Sequence, residues 1–169
     1  MRVIICGAGQ VGYNIADYLS REDNDVTVID IDPDRVARVN EELDVKAVIG
    51  AASNPEVLKN AGANDADLVI AVTFSDEVNM VACQVCHSLF GVPKKIARVR
   101  QQDYLDPAWS NLFSRAHMPI DVIISQEIEA SGGDVNAYTS FDQTVYYINM
   151  SSRFAANGLE ILADMVQNP

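Results

Sequence analysis

The sequence predicts an α/β fold, a doubly wound Rossmann-type parallel sheet with strand order 3-2-1-4-5-6 and a short α+β C-terminal extension. Three observations support this prediction. Short apolar runs alternate with helical patterns through the first two thirds of the chain. A glycine-rich loop, Gly7 to Gly12, directly follows the first apolar run, and the acidic Asp30 ends the second.

Six strands are predicted from apolar runs that are continuous instead of alternating. A strand of a parallel sheet is covered on both faces, so both sets of its side chains are expected to be apolar. The runs occupy residues 3–6, 26–29, 46–49, 68–72, 95–99 and 122–124.

Four helices are predicted between these strands. The first follows the glycine loop over residues 11–19. Asp32-Pro33 and Asn54-Pro55 each pair a good N-cap with proline at the first helical position, so helices are expected over 33–43 and 55–62. The fourth pattern, over 76–90, stops at Gly91, a typical C-terminal residue.

The last part of the chain has a different pattern. Residues 139–149 predict one strand, and a helix follows with Phe154, Leu159, Leu162, Met165 and Val166 on one side. This order of strand, turn and helix differs from a further βα unit. We therefore expect a domain over residues 1–126 and a separate fragment over 127–169.

The loop Gly7-Ala8-Gly9-Gln10-Val11-Gly12 has the Gly-x-Gly-x-x-Gly spacing of a dinucleotide site. Gly7 permits a tight turn, Gly9 lets a pyrophosphate approach, and Gly12 lets the helix pack on the strand. The helix N-terminus then offers free N–H groups to the phosphates. The alternative is a glycine turn that only connects strand to helix.

Asp30 lies about 20 residues beyond the loop, where a carboxylate accepts ribose hydroxyls. It would repel a 2′-phosphate, and the next residue, Ile31, offers no guanidinium. NAD(H) is therefore favoured over NADP(H), whereas ATP or ADP has the same ribose and stays possible. Asp32 is a rival, but Pro33 after it favours an N-cap role.

Three further residues end strands beside the predicted crevice. Thr73 and Phe74 follow the fourth strand, and Arg98 lies near the end of the fifth. The ends of strands 1 and 4 flank the ligand in this fold, so Thr73 and Phe74 are candidate contacts. Arg98 could reach a phosphate. An ordinary loop and a solvated arginine are the alternatives.

The composition excludes several partners. A net charge of −12 argues against nucleic acid and against direct docking on anionic lipid. No apolar run approaches the roughly 18 residues that span a bilayer. The two histidines are scattered, so no metal site is expected. Three cysteines fit a reducing compartment, and Cys83 and Cys86 are expected to be buried helix residues, not a redox pair.

No motif for catalysis is found. The chain has no Tyr-x-x-x-Lys pair, Gly-x-Ser-x-Gly elbow or Walker lysine. We therefore expect binding without turnover, with an NAD-dependent oxidoreductase domain as the alternative.

Residues 1 to about 126 resemble the N-terminal nucleotide-binding domain of TrkA, the Trk system potassium uptake protein, a family also called KTN or RCK. The resemblance rests on the glycine loop, Val28-Ile29-Asp30, Gly50 to Asn54, Ala71-Val72-Thr73, Ser75-Asp76-Glu77, Asn79 to Gln84 and Ile96 to Arg100.

This resemblance implies a cytoplasmic subunit, peripheral at the inner face of the cell membrane, that binds NAD(H) or adenine nucleotides. It implies homo-oligomers, dimers or higher, that gate a membrane potassium transporter subunit. The implied cofactor contacts are Gly7, Ala8, Gly9, Gln10, Val11, Asp30, Thr73, Phe74 and Arg98.

Residues 127–169 resemble a segment of the pitrilysin or processing-peptidase family of zinc peptidases. The matching stretch includes Gly132-Gly133-Asp134-Val135-Asn136 and Thr144-Val145-Tyr146-Tyr147. The His-x-x-Glu-His zinc motif of that family does not occur, so neither zinc nor peptidase activity is expected. A further alternative is therefore a chimeric fragment that binds nucleotide without regulatory output.

Overall fold

The computed structural model describes residues 1–125 in full, together with the backbone of two strands at 134–140 and 143–149. The strands are β1 (Arg2–Cys6), β2 (Asp25–Asp30), β3 (Lys46–Ile49), β4 (Leu68–Ala71), β5 (Lys94–Arg98), β6 (Val122–Ser125), β7 (Asp134–Ser140) and β8 (Gln143–Asn149). The α-helices are α1 (Gln10–Arg21), α2 (Pro33–Glu42), α3 (Pro55–Asn60) and α4 (Asp76–Phe90).

The sheet confirms the predicted topology. Its strand order is β3-β2-β1-β4-β5-β6-β8-β7, and the first six strands are all parallel. The order reverses direction between β1 and β4, which is the switch point where ligands of this fold bind.

Helices cover both faces of the sheet, as continuous apolar strands require. On one face, Val3, Ile5 and Val28 pack with Ile15 of α1 and Val39 of α2. On the other face, residues that include Ile4, Cys6 and Ile29 pack with Leu58, Cys83 and Cys86. Neighbouring residues of one strand thus point into two different cores.

The predicted helix starts are confirmed by their caps. The side chain of Asp32 accepts the N–H of Asp34 over 3.0 Å, and that of Asn54 accepts the N–H of Glu56 over 2.9 Å. Ser75 accepts the N–H of Val78 over 3.2 Å at the start of α4. At its other end, Gly91 adopts φ +65° and closes the helix.

The structure departs from the sequence prediction in the C-terminal strand region and in the connection between β5 and β6. The single strand predicted over 139–149 is wrong, because β7 ends at Ser140 and β8 begins at Gln143 in an antiparallel pair beside β6. Between β5 and β6 lie two 3₁₀ segments, Gln102–Leu105 and Pro107–Phe113, which the sequence did not predict. They place Phe113 in the core.

The helix predicted around Phe154 to Val166 lies outside the described residues. The same holds for the predicted domain boundary between residues 126 and 127, which stays a prediction. Within the described part of the chain, no helix has both the length and the apolar character needed to cross a membrane.

Candidate nucleotide site

The loop between β1 and α1 requires glycine at two positions. Gly7 has φ +109°, and a Cβ there would lie 3.0 Å from backbone atoms of Thr73. A Cβ on Gly12 would lie 1.8 Å from the carbonyl oxygen of Gly7. Only glycine fits a positive φ without strain, and no side chain fits a 1.8 Å approach. The loop therefore lies directly against the end of β4.

Gly9 borders open space at the start of α1. It is the N-cap, and its carbonyl accepts the N–H of Tyr13 over 2.8 Å. A Cβ on Gly9 would meet one described atom within 4 Å, Nη1 of Arg35 at 3.9 Å. The first N–H groups of a helix have no partner within it, and the positive end of its dipole lies there. This helix start can therefore accept a phosphate.

Asp30 joins the end of β2 to the glycine loop. Its carboxylate is buried, with Oδ2 accepting the N–H of Ala8 over 2.6 Å and Oδ1 accepting the N–H of Asp32 over 2.9 Å. Each carboxylate oxygen has two lone pairs, so each retains one acceptor site. The two remaining sites suit the two hydroxyls of a ribose.

The other loop residues differ in what they can offer a ligand. Ala8 is buried and its N–H is used by Asp30. Val11 packs against the core on the α1 face. The Gln10 side chain is exposed, and its Nε2 donates to Oδ1 of Asn14 over 2.9 Å. Gln10 is therefore the loop side chain that can turn toward a ligand.

Sequence reasoning missed Arg35, which lies in the first turn of α2. Its Nη1 is 3.9 Å from Oδ2 of Asp30, and its Nε is 3.4 Å from Oδ2 of Asp32. Ile31 offers no guanidinium, as expected, but Arg35 places one beside Asp30. The signal was present, because Pro33 begins a helix whose first turn directs residue 35 back toward the end of β2.

Thr73 is fixed at the end of β4 by a buried amide that sequence reasoning also missed. Oδ1 of Asn79 accepts the backbone N–H of Thr73 over 2.8 Å and its hydroxyl over 2.7 Å. Nδ2 of Asn79 donates to the carbonyl of Thr73 over 3.2 Å and to that of Arg98 over 2.9 Å. One amide thus joins the carboxyl ends of β4 and β5.

Two arginines converge on the loop after β4. Nη2 of Arg98 donates to the carbonyl of Thr73 over 2.6 Å. The guanidinium of Arg100 donates to the carbonyl of Phe74 and lies 4.5 Å above its ring. Phe74 is 84% exposed, so most of its surface faces solvent despite this cation–π contact. Burial lowers the pKa of the Arg98 guanidinium, and the Arg100 charge lowers it further.

Asp76 holds the chain that leaves β5. Its buried Oδ2 accepts the N–H of Arg100 over 2.7 Å and that of Gln101 over 2.9 Å. Its Oδ1 lies 3.6 Å from Nε of Arg100, and neither atom has a hydrogen bond within residues 1–125. The two arginines are therefore anchored beside the crevice by α4 as well as by β5.

The structure brings most predicted site residues to one edge of the sheet. The glycine loop, Asp30 and Thr73 are in direct contact, and Arg98 contacts Thr73. These groups can bind a ribose diol and a phosphate. That they contact a cofactor remains a prediction.

The three cysteines lie away from this edge. Cys6, Cys83 and Cys86 are buried and free, as predicted for helix positions 83 and 86. Burial raises the pKa of Cys86 to about 12 and that of Cys83 further still. Among the described residues, no cluster of three or more His, Cys, Asp and Glu residues could hold a metal ion.

Comparison with protein-family models places this site in a known family. The model described as TrkA-N domain matches residues 3–126, about three quarters of the chain, and includes every predicted contact residue.

The chain belongs to the TrkA-N domain family.

Curated relatives of this TrkA-N domain are named as potassium uptake proteins. The Trk system potassium uptake protein TrkA of Azorhizobium caulinodans is 58% identical over 129 residues, which is 76% of this chain and 28% of the relative. The protein of the same name from Halomonas elongata is 54% identical over 127 residues, 75% of this chain and 27% of the relative. The chain thus spans little more than a quarter of the length of these relatives.

Solved structures share the fold of this TrkA-N domain. A Kef C-terminal domain of Shewanella denitrificans in AMP-bound form has 23% identity and TM-score 0.54, covering 65% of this chain and 69% of the other. A GsuK channel bound to NAD has 21% identity and TM-score 0.54, covering 61% and 18%. An anaerobillin reductase, ChuY, of Escherichia coli O157:H7 has 13% identity and TM-score 0.65, covering 97% and 91%.

A second family model, described as insulinase (peptidase family M16), matches residues 115–169. It overlaps the end of the TrkA-N match through β6. It includes the segment whose sequence resembles the processing peptidases. Most of this match lies outside the residues that the structure describes in full.

Proposed function

We propose that this chain is a regulatory module that binds NAD(H) or an adenine nucleotide and takes part in gating a membrane potassium transporter. The observation that carries the proposal is the contact of Asp30 with Ala8. It places a carboxylate with free acceptor sites directly against a glycine loop that opens a helix. ATP and ADP share this ribose and phosphate chemistry with NAD(H).

Each part of such a ligand has a complementary group in the crevice. The ribose hydroxyls donate to Asp30, and the first phosphate lies against Gly9 at the N-terminus of α1. Thr73 borders the far side of the loop, and Arg98 contacts it. Phe74 follows Thr73 in the chain. Arg98 and Arg100 supply positive charge for further phosphates in a chain of net charge −12.

The comparisons support a role in potassium transport. The curated relatives are named for potassium uptake, and two proteins of the same fold are described with AMP or NAD bound. We propose that this chain binds its transporter as a homo-oligomer on the cytoplasmic face of the membrane, since its own acidic surface disfavours anionic lipid.

Signal transmission would use the contacts at the ends of β4 and β5. Asn79 and Arg98 tie these strand ends together through Thr73. A ligand that displaces Arg98 or Arg100 from the loop carbonyls changes this connection. Ligands with different numbers of phosphates would then favour different arrangements of these strand ends. Each ligand would shift the transporter toward the state that goes with the arrangement it binds more tightly.

We propose binding without turnover. The two buried carboxylates at the crevice already accept backbone N–H groups, Asp30 from Ala8 and Asp76 from Arg100. In this proposal the ribose hydroxyls occupy the remaining acceptor sites of Asp30, and Oδ1 of Asp76 lies 3.6 Å from Nε of Arg100. Neither carboxylate is therefore placed to take a proton from a substrate. Incubation of NADH with a panel of small carbonyl compounds tests this directly, because steady NADH oxidation would favour the oxidoreductase alternative.

Calorimetric titration with NADH, NAD, ATP and ADP tests the site. We expect Asp30→Asn to weaken the best ligand by about tenfold or more, since a charge-assisted hydrogen bond is lost. Asp67→Asn is a matched control, because Asp67 also accepts a backbone N–H, that of Arg2 over 2.7 Å, at the opposite edge of the sheet. The proposal fails if the unmutated chain binds none of the four at sub-millimolar concentration, or if both variants bind equally.

A further inference from the structure

Arg35 occupies a position between the two halves of the candidate site. Its guanidinium lies 3.9 Å from Oδ2 of Asp30, on the ribose side. It also lies 3.9 Å from the place where a Cβ of Gly9 would be, on the phosphate side. The absent Cβ of Gly9 is what lets a phosphate approach the helix N-terminus. The guanidinium therefore borders the space that a phosphate would enter.

The charge around this space gives Arg35 a role in binding an anion. Residues 7–12 contain no cationic side chain, whereas Asp30 and Asp32 are both acidic. Without Arg35, two carboxylates would repel a phosphate here, and the N-terminus of α1 would be the group that attracts it. With Arg35, one of these two negative charges is offset.

The guanidinium of Arg35 also has N–H donors that remain available to a ligand. Its two ion pairs, at 3.9 Å and 3.4 Å, are longer than the roughly 2.8 Å of a charge-assisted hydrogen bond. Its side chain is 55% exposed. An arginine has five N–H donors in a planar fork that matches two phosphate oxygens. A phosphate can thus bind without first breaking a short intramolecular hydrogen bond.

We propose that Arg35 is the residue by which this site recognises a phosphate on the ribose of its adenosine ligand. The inference rests on the proposed nucleotide-binding function and specifies its ligand. The phosphate can be the 5′-phosphate of AMP, ADP, ATP and NAD, or a 2′-phosphate beside Asp30. Repulsion by Asp30 alone no longer excludes the second source, since Arg35 accompanies it.

Calorimetric titration of the full chain with adenosine, 5′-AMP and 2′-AMP tests the inference. In Arg35→Gln, we expect the affinity ratio of the preferred AMP isomer to adenosine to fall by about tenfold. Arg35→Lys should recover part of this ratio. The isomer that loses affinity identifies which phosphate Arg35 contacts.

Arg38→Gln is the matched control. Arg38 lies on the same helix with similar exposure, but its Nε is 3.0 Å from Glu42 and its guanidinium stacks on Tyr13. The Arg38→Gln substitution removes the same charge away from the crevice. The affinity ratio of AMP to adenosine should therefore stay at the value of the unmutated chain. An equal fall in both variants, or an unchanged ratio in Arg35→Gln, overturns the inference. If the unmutated chain binds none of the three compounds, the proposed function itself fails.

Discussion

The carbonyl oxygen of Gly7 lies so close to Gly12 that a Cβ on Gly12 would be 1.8 Å from it. This contact joins the end of β1 to the first turn of α1. By contrast, Gly9, between these two residues, borders open space. The three glycines of this motif therefore have two different physical roles. Gly7 and Gly12 allow close packing, whereas Gly9 allows a ligand to approach.

Alanine substitution should separate these roles. We expect Gly12→Ala to lower the free energy of unfolding by several kcal/mol, roughly 3 or more, because the backbone must move to admit the methyl group. Gly9→Ala should leave stability within about 1 kcal/mol, since φ at Gly9 is −67° and its surroundings are open. Urea unfolding measures both.

Ligand affinity then completes the comparison. Gly9→Ala should weaken nucleotide binding while the protein stays folded, because a methyl group occupies the phosphate approach. A Gly12→Ala protein as stable as the unmutated chain would contradict the packing role of Gly12. A Gly9→Ala protein of unchanged affinity would contradict the access role of Gly9.

The buried amide of Asn79 should contribute strongly to stability. Replacing it with alanine removes four hydrogen bonds and leaves backbone groups of Thr73 and Arg98 without that partner. We expect a loss of about 2–4 kcal/mol in urea unfolding. Asn14→Ala is the control, because Asn14 is exposed and accepts one side-chain hydrogen bond. Equal stability of the two variants would argue against the Asn79 connection.

The three thiols should be unreactive in the folded protein. With a pKa of about 12, roughly one Cys86 in ten thousand is a thiolate at pH 8, and Cys6 and Cys83 are buried as well. Ellman's reagent should therefore react slowly with native protein and rapidly with all three thiols in guanidinium. Ser88→Cys, an exposed position on α4, supplies a fast-reacting control. Rapid reaction of the unmutated native chain would contradict this burial.

Tyr13 and Glu42 should have coupled titrations. The Tyr13 hydroxyl donates to Oε2 of Glu42 over 2.6 Å, and this bond raises the pKa of Tyr13 and lowers that of Glu42. The contact therefore favours folding below the ordinary tyrosine pKa of about 10 and above the ordinary glutamate value of about 4.3. Its contribution is lost as pH rises through the raised value or falls through the lowered one.

Ultraviolet difference titration of the unmutated chain against Tyr13→Phe isolates the Tyr13 signal. We expect Glu42→Gln to bring its midpoint back toward the ordinary tyrosine value, because the charged acceptor is gone. Glu41→Gln, an exposed neighbour on α2, should leave the midpoint unchanged. A midpoint that does not respond to Glu42→Gln would show that the hydrogen bond is absent in solution.

Local pattern was sufficient to predict most elements of residues 1–125. Continuous apolar runs indicate strands covered on both faces, and the caps at Asp32, Asn54 and Ser75 define helix starts through bonds to residues two or three positions away. Such signals depend on neighbours along the chain. The 3₁₀ segment Pro107–Phe113 also begins with an Asp-Pro cap, at Asp106, but no apolar periodicity follows it, and the structure was needed to find the segment.

The glycine spacing and Asp30 could also be predicted from the sequence, because the Rossmann fold places the loop after β1 beside the end of β2. The tertiary structure alone decided which distant groups complete the site. Asn79 reaches Arg98 across 19 positions. The helix start at Pro33 directs Arg35 toward the end of β2, but only the packing of α2 against the sheet brings its guanidinium to Gly9 as well. Proximity of this kind depends on how helices pack against strands, which no local spacing specifies.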